Sequence, residues 1–158
     1  ARHTYPVPMD TLVTVVVVDD HPFFRDGVSR GLSASGRVRV VGEAADGLAG
    51  LELIRRKKPD VAVVDHQMPH MTGVEVAHAV SRDGLPTRVL LLSAVTDGPI
   101  VFRALQEGAA GYLSKDADRD DIVGAVTRVA KGETVVPPEL AAGLAGEIRA
   151  MLPCNTSR

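Results

Sequence analysis

Five short apolar segments recur along the chain, and stretches with helical spacing separate them. The segments are VTVVVV at 13–18, VRVVG at 38–42, VAVV at 61–64, RVLLL at 88–92 and AGYL at 110–113. The first, third and fourth are continuous rather than alternating, which is typical of parallel strands covered on both faces. The pattern therefore predicts five strands in one parallel sheet.

The stretches between the predicted strands carry helix start signals. Thr72 and Glu75 form a capping-box pattern, and Asp97 and Asp118 stand where each can cap a helix. The order βαβαβαβαβα follows, which predicts an α/β fold with a doubly wound, five-stranded parallel sheet and helices on both faces. The apolar residues at helical spacing are Phe24, Val28 and Leu32; Leu48, Leu51 and Ile54; Val76 and Val80; Ile100, Val101, Ala104 and Leu105; and Ile122, Val123, Val126 and Val129.

The two ends of the chain differ from this repeating order. Residues 1–10 carry two prolines and no periodicity, so we expect a disordered lead-in or an added extension. Residues 11–132 hold the predicted strands and helices and are expected to form one domain. Within residues 133–158, two consecutive prolines break the chain, and Leu140, Leu144 and Ile148 then mark a short amphipathic helix followed by a tail.

Composition narrows the functional classes. The 158 residues suffice for about one domain with its own core, and 45% apolar and 24% charged residues are ordinary for a soluble protein. A net charge of −2 and only 3% aromatic residues argue against a nucleic-acid-binding surface. The single cysteine, Cys154, excludes an internal disulfide and a cysteine-based zinc site. Since there is neither an apolar run of membrane-spanning length nor a secretion signal, we expect a cytoplasmic chain with no membrane partner.

Polar and charged residues follow four of the predicted strands. In an open parallel sheet, ligands bind beyond the carboxyl ends of the strands. Three carboxylates gathered there repel one another unless a cation joins them, and Mg²⁺ takes one or two carboxylates together with phosphate oxygens. With an ammonium and a hydroxyl, the set suits phosphoryl transfer, which is mostly positioning and charge neutralisation. The residues are Asp19 and Asp20 after the first strand, Asp65 after the third, Ser93 after the fourth and Lys115 after the fifth.

On this reasoning, Asp65 ends its strand because it is to be phosphorylated. Taken singly, each of these residues has an ordinary role: an aspartate caps a helix, a serine lies in a turn and a lysine lies at the surface. Five such residues at the ends of the correct strands are better explained by one site. His66 and His70 are interpreted as loop histidines rather than a metal pair, because Pro69 between them prevents a regular helical face.

The motifs VVVVDDHP, VVDHQMPHMTG, LLSA and GYLSKD together resemble the receiver domain of bacterial two-component response regulators. DDHPFFRDGV and GYLSKD are most similar to the NarL/FixJ subfamily. The resemblance covers about residues 11–132 and is specific, because the acid pair, acceptor aspartate, hydroxyl residue and lysine occur in the family's order and spacing. It implies a flavodoxin-like fold and a signalling module that a sensor histidine kinase phosphorylates to control transcription.

The resemblance also implies the ligands of a Mg²⁺ cofactor. Asp65 is the phospho-acceptor and a metal ligand, Asp20 binds the ion directly, and Asp19 acts mainly through water. The backbone carbonyl of Gln67 supplies a further protein ligand. Phosphotransfer and later dephosphorylation are then self-catalysed, but the domain is not a turnover enzyme.

Four further residues take roles around the phosphoryl group by the same resemblance. Lys115 pairs with the group, and Ser93 binds it after transfer. Ala94 keeps the acceptor accessible because its side chain is small. Tyr112 is the rotameric switch residue, which fills the space beneath the fourth helix once Ser93 is drawn toward the phosphoryl group.

The sequence departs from the commonest family pattern at three places. Ser93 stands where threonine is more frequent, and Asp116 rather than proline follows Lys115, as is common in the subfamily. The helix-turn-helix domain that usually follows in the subfamily is missing, and residues 133–158 resemble the linker helix leading to it. We therefore expect either a receiver fragment or a regulator that ends early, which contacts DNA only through such a domain and forms a homodimer when activated.

Other functions compete with this interpretation. One alternative is an atypical receiver that acts without phosphorylation. Another is an aspartyl-phosphate phosphatase of the haloacid dehalogenase type, but that family has a second acid where this chain has Gln67, and its nucleophile lies on the first strand. A flavodoxin-like nucleotide binder needs a glycine-rich loop after the first strand, where this chain reads DDHPFF.

Overall fold

Five parallel strands form one sheet in the computed structural model, which describes residues 11–141. They are β1 (Val13–Val18), β2 (Val38–Ala44), β3 (Val61–Asp65), β4 (Arg88–Ser93) and β5 (Gly111–Ser114). Their order across the sheet is β2-β1-β3-β4-β5, and all four pairings are parallel. The predicted sheet is confirmed, with β2 two residues longer than expected, β3 and β4 each one residue longer, and β5 displaced by one residue.

Helices cover both faces of the sheet, as predicted. They are α1 (Pro22–Ala34), α2 (Gly47–Lys57), α3 (Gly73–Arg82), α4 (Gly98–Gln106) and α5 (Arg119–Ala130). Alternation along each strand divides the core in two: Val16 and Val18 of β1 join the cluster with α2, α3 and α4, whereas Val15 and Val17 join the cluster with α1 and α5. None of the helices within residues 11–141 is long and apolar enough to cross a membrane.

The apolar residues at helical spacing in α2 differ in burial. Leu48 is 61% exposed, whereas Leu51 and Ile54 are buried. The helix approaches the sheet through Gly50, where a Cβ atom would lie 2.7 Å from the side chain of Val18. Because the close approach is made on the glycine side, the helix is rotated so that Leu48 points to solvent.

The three predicted helix caps have different outcomes. Thr72 Oγ1 accepts a hydrogen bond from the Glu75 backbone N–H (3.2 Å), and the Glu75 carboxylate accepts one from the Thr72 N–H (2.8 Å). Asp118 likewise accepts from the Asp121 N–H at 2.9 Å. Asp97 occupies the N-cap position of α4, but its side chain makes no capping hydrogen bond.

The chain after α5 returns to the open edge of the sheet. Val135 forms an isolated parallel bridge with Gly111, and its carbonyl accepts a hydrogen bond from the Tyr112 N–H at 2.9 Å. Val135 is buried, and a short 3-10 helix (Pro138–Leu140) follows. Most of the helix predicted after the two prolines, and the lead-in of residues 1–10, lie outside the described residues.

Candidate functional site

The carboxyl ends of β1, β3 and β5 bring the predicted charged residues together. The Lys115 ammonium lies 3.1 Å from Asp19 Oδ2 and 3.3 Å from Asp65 Oδ2. Both carboxylates are nearly inaccessible, at 2% and 4% exposure. Asp20 is next to them, and one oxygen from each aspartate lies within 4.8 Å of the others and of a ring nitrogen of His21. The expected meeting of three carboxylates and an ammonium is therefore present.

Backbone hydrogen bonds fix the loop that follows β1. The Asp19 N–H donates to the Ala44 carbonyl of β2 at 3.0 Å, and the His21 N–H donates to Asp19 Oδ1 at 2.8 Å. The Arg25 guanidinium, one turn into α1, donates to the Asp19 carbonyl at 2.7 Å. These contacts hold the Asp19 carboxylate in place before any ligand binds.

The loop after β3 is held equally closely. The Gln67 N–H approaches Asp65 Oδ1 at 3.3 Å, and the Gly73 N–H donates to the His66 carbonyl at 2.9 Å. A Cβ atom at Gly73 would lie only 2.5 Å from the Asp65 carbonyl oxygen, so the start of α3 approaches the acceptor strand at a distance only glycine allows. The acceptor carboxylate is thus set on a rigid turn.

The electrostatics of the acceptor favour a bound cation. Burial, and then repulsion from Asp19, raise the pKa of the Asp65 carboxyl above its ordinary value, while attraction to Lys115 opposes the shift. Within residues 11–141, Asp65 Oδ2 and Asp20 Oδ1 are buried without a hydrogen-bond partner, although Lys115 forms an ion pair with Asp65 Oδ2. Unsatisfied carboxylate oxygens are the donors that a hard divalent cation uses, so these residues fit a metal.

Ser93 and Tyr112 lie beside this cluster in the interior. Ser93 Oγ accepts a hydrogen bond from the Val95 N–H at 2.9 Å, and the Tyr112 hydroxyl donates to the Val95 carbonyl at 2.7 Å. Both side chains are buried, and burial raises the pKa of the Tyr112 phenol. The tyrosine therefore already occupies the interior, whereas the sequence led us to expect it to move there after phosphorylation.

An open pocket gives access to the acceptor. Asp65 and Lys115 line it together with Ala94 and Gln67, and Ala94 is exposed at its margin. This placement agrees with the expected positions of Ala94 and Gln67. Their roles, including metal binding through the Gln67 carbonyl, remain predictions.

Sequence reasoning missed three residues of the site. The ring of His21 faces the carboxylates, and the Lys115 ammonium lies 4.5 Å from the centroid of the Phe24 ring. His66, interpreted as a simple loop residue, is half-buried 5.9 Å from the Tyr112 ring, and burial lowers the pKa of its imidazole. Only His21 left a signal in the sequence, because it directly follows the acid pair.

The sequence profile of the response regulator receiver domain matches residues 15–127. The chain belongs to this family. The match includes the carboxyl ends of all the strands that contribute to the site and omits only the first two residues of β1, at the opposite end of that strand. It favours a receiver over the phosphatase and the nucleotide binder, which belong to other families.

Sequence identity to named regulatory proteins indicates which type of receiver this domain is. The chain is 59% identical over 142 residues to a NarL transcriptional regulatory protein of Mycobacterium tuberculosis, covering 90% of this chain and 66% of that protein. It is 36% identical over 137 residues to the nitrate/nitrite response regulator NarL of Escherichia coli, covering 87% and 63%. The domain is therefore a receiver of the NarL type, and the chain spans slightly less than two thirds of the length of these relatives.

Solved structures agree in fold. The signal receiver domain of the response regulator NarL from Mycobacterium tuberculosis superimposes with a TM-score of 0.76 at 59% identity, covering 77% of this chain and 98% of that one. A two-component response regulator of the LuxR family from Aurantimonas gives a TM-score of 0.80 at 28% identity, covering 87% and 99%. The flavodoxin-like receiver fold expected from the sequence is confirmed.

Proposed function

We propose that this domain switches a transcriptional response when Asp65 accepts a phosphoryl group from a sensor histidine kinase. The observation that carries the proposal is the buried Asp65 carboxylate, 3.3 Å from the Lys115 ammonium and beside two further carboxylates. Burying a charged carboxylate costs free energy whatever its role, so a buried carboxylate at a strand end indicates a functional purpose. Accepting a phosphoryl group at a strand end, with counter-charges already in place, is such a purpose.

Each residue has a part in the transfer. An oxygen of Asp65 attacks the phosphorus of the phosphohistidine, the P–N bond breaks, and the leaving imidazole takes a proton from water while an acyl phosphate forms. Lys115 binds a phosphoryl oxygen, and Asp20, Asp65 and the Gln67 carbonyl would hold Mg²⁺ directly, with Asp19 acting mainly through water. The ion, when bound, neutralises charge on carboxylates and phosphoryl oxygens. Attack of water on the acyl phosphate later restores Asp65.

The switch runs through Ser93 and Tyr112. Ser93 Oγ accepts a hydrogen bond from the Val95 N–H, which leaves its own O–H to donate to a phosphoryl oxygen. Drawing Ser93 inward moves Val95, whose carbonyl holds the Tyr112 hydroxyl. Since Tyr112 is already buried, phosphorylation would bias an existing position of the ring rather than create a new one.

The relatives named as transcriptional regulators support a proposal for the partners. The phosphodonor is a sensor histidine kinase in the cytoplasm, the phosphorylated form is a homodimer, and DNA is contacted through a helix-turn-helix domain. An atypical receiver that works without phosphorylation would have the same fold, but a small phosphodonor would not phosphorylate it.

The test is labelling with a small phosphodonor. After incubation with acetyl phosphate and Mg²⁺, intact-mass spectrometry should show one added phosphoryl group, lost in Asp65→Asn and in excess chelator. Asp97→Asn is the matched control, because Asp97 is exposed and its side chain makes no capping hydrogen bond. Labelling that persists in Asp65→Asn would show that the acceptor is another residue. An unlabelled wild-type protein would favour the atypical receiver.

A further inference from the structure

The imidazole of His21 is directed at the acidic cluster rather than at the helix that it begins. His21 is the N-cap residue of α1, yet its side chain makes no capping hydrogen bond. Its Nδ1 atom lies 3.1 Å from Asp20 Oδ1, 3.3 Å from Asp19 Oδ1 and 3.9 Å from Asp65 Oδ2. One ring nitrogen thus meets oxygens from all three aspartates.

The spacing of these four atoms suits ligands of one metal ion. For metal–ligand bonds of about 2.1 Å, neighbouring octahedral ligands lie about 3.0 Å apart and opposite ligands about 4.2 Å apart. The four donor atoms all lie within 4.8 Å of one another. Small side-chain adjustments would bring them to a common centre.

A second observation points to a cation at the same place. Asp65 is 4% exposed, and apart from the ion pair with Lys115 at 3.3 Å its Oδ2 atom has no hydrogen-bond partner among the described residues. Asp20 Oδ1 is also buried and has no hydrogen-bond partner among the described residues. These are two of the oxygens nearest to His21 Nδ1, so the unsatisfied acceptors and the ring nitrogen surround the same point.

We propose that His21 is a further protein ligand beside the aspartates and the Gln67 carbonyl, which gives the site affinity for transition-metal ions that bind imidazole. The proposal rests on the proposed function, because it concerns the metal site at Asp65. Nitrogen donors favour Co²⁺, Ni²⁺ and Zn²⁺, whereas Mg²⁺ prefers oxygen and gains little from an imidazole. In this arrangement Nε2 carries the proton and Nδ1 presents its lone pair to the ion.

A different role for His21 makes the opposite prediction. If the ring served only as a positive counter-charge to the carboxylates, a metal ion would have to compete with it. Removing the ring would then leave metal affinity unchanged or increase it. The sign of the change in affinity therefore separates a ligand from a counter-charge.

The experiment measures Co²⁺ and Mg²⁺ affinities by isothermal titration calorimetry on the full chain. In His21→Ala, the affinity for Co²⁺ should fall about tenfold or more, whereas the affinity for Mg²⁺ should change less than about threefold. His70→Asn is the matched control, since His70 has φ 71° and asparagine tolerates that conformation. It should change neither affinity. Unchanged or increased Co²⁺ affinity in His21→Ala would overturn the proposal.

Two further measurements separate this proposal from the proposed function. Mg²⁺ should displace Co²⁺ from the wild-type protein, and Asp20→Asn should lower the affinity for both ions. If Mg²⁺ does not displace Co²⁺, then Co²⁺ is bound elsewhere and the assignment is overturned. Acetyl phosphate labelling of His21→Ala with Mg²⁺ tests the acceptor independently. If labelling of Asp65 persists while the Co²⁺ affinity is unchanged, the role of His21 fails and the proposed function stands.

Discussion

The buried carboxylate of Asp65 is placed for function at a cost to the stability of the fold. In the absence of a cation, its charge is disfavoured by burial and by Asp19, and one of its oxygens has no hydrogen-bond partner in the described part of the chain. Lys115 relieves part of this cost, but it is shared with Asp19. The residue is therefore placed for chemistry rather than for the stability of the metal-free fold.

Asp65→Asn should stabilise the metal-free protein at neutral pH. We expect the free energy of unfolding to rise by about 1–3 kcal/mol at pH 7, because the amide carries no charge for burial and Asp19 to disfavour. Because the folded pKa of Asp65 lies above its unfolded value, its contribution is most favourable at low pH and is lost as the pH rises through the folded pKa. The gain from asparagine should therefore shrink as the pH is lowered.

Urea unfolding of both proteins in chelator, from pH 7 downward, measures this difference. Asp97→Asn should show no comparable change, since Asp97 is exposed. A loss of stability in Asp65→Asn, or a gain that does not depend on pH, would contradict the interpretation of Asp65 as a destabilised buried charge.

At the scale of elements, the junction between β3 and α3 positions the acceptor. The capping box at Thr72 sets where α3 begins, and Gly73 then lets the helix approach the end of β3. A Cβ atom at Gly73 would meet the Asp65 carbonyl at 2.5 Å and the His66 Cα atom at 2.9 Å. Backbone atoms cannot move aside as a flexible side chain can, so the helix or the acceptor strand would have to shift.

Gly73→Ala should therefore lower both stability and phosphorylation. Overpacking of this kind costs about 1–3 kcal/mol, and we expect slower labelling of Asp65 by acetyl phosphate because the carboxylate moves relative to Lys115. Gly124→Ala is the control, since no atom lies within 4 Å of a Cβ at that position in α5. It should stabilise by roughly 0.4–1 kcal/mol through the unfolded chain. Equal effects of the two substitutions on unfolding and labelling would rule out the close approach as the cause.

At the scale of the whole molecule, the segment after α5 completes the sheet. β5 lies at the edge, and the Val135 carbonyl takes the hydrogen bond of the Tyr112 N–H there. The packing of the described residues thus continues past residue 132, into Val136 and Leu140. This contact joins the candidate switch residue to the segment that leads out of the domain.

A chain that ends at residue 132 should be less stable than one that ends at residue 141. The shorter chain lacks the burial of Val135, which stabilises the fold by about 1.5–3 kcal/mol. It also lacks the hydrogen bond from the Tyr112 N–H, which contributes about 1 kcal/mol. Urea unfolding of the two chains measures the difference. Equal midpoints and slopes would mean that the returning segment does not stabilise the sheet edge.

The sequence by itself determined the strands, their parallel pairing and the residues at their carboxyl ends. Continuous valine and leucine runs indicate strands buried on both faces, and the Thr72 capping box is a local signal that needs no tertiary contact. Parallel strands end at one edge, so the order of Asp19, Asp65 and Lys115 along the chain already implied that they meet. These features depend on local patterns and on topology alone.

The tertiary structure decided the features that depend on how elements are rotated and spaced. Leu48 faces solvent because α2 approaches the sheet through Gly50, and Tyr112 is buried in the core cluster that includes residues of α4. The contacts of His21 with the carboxylates and of Phe24 with Lys115 join side chains whose rotamers depend on packing. Spacing along the chain carries no information on such rotations, since they are fixed only when separate elements pack together.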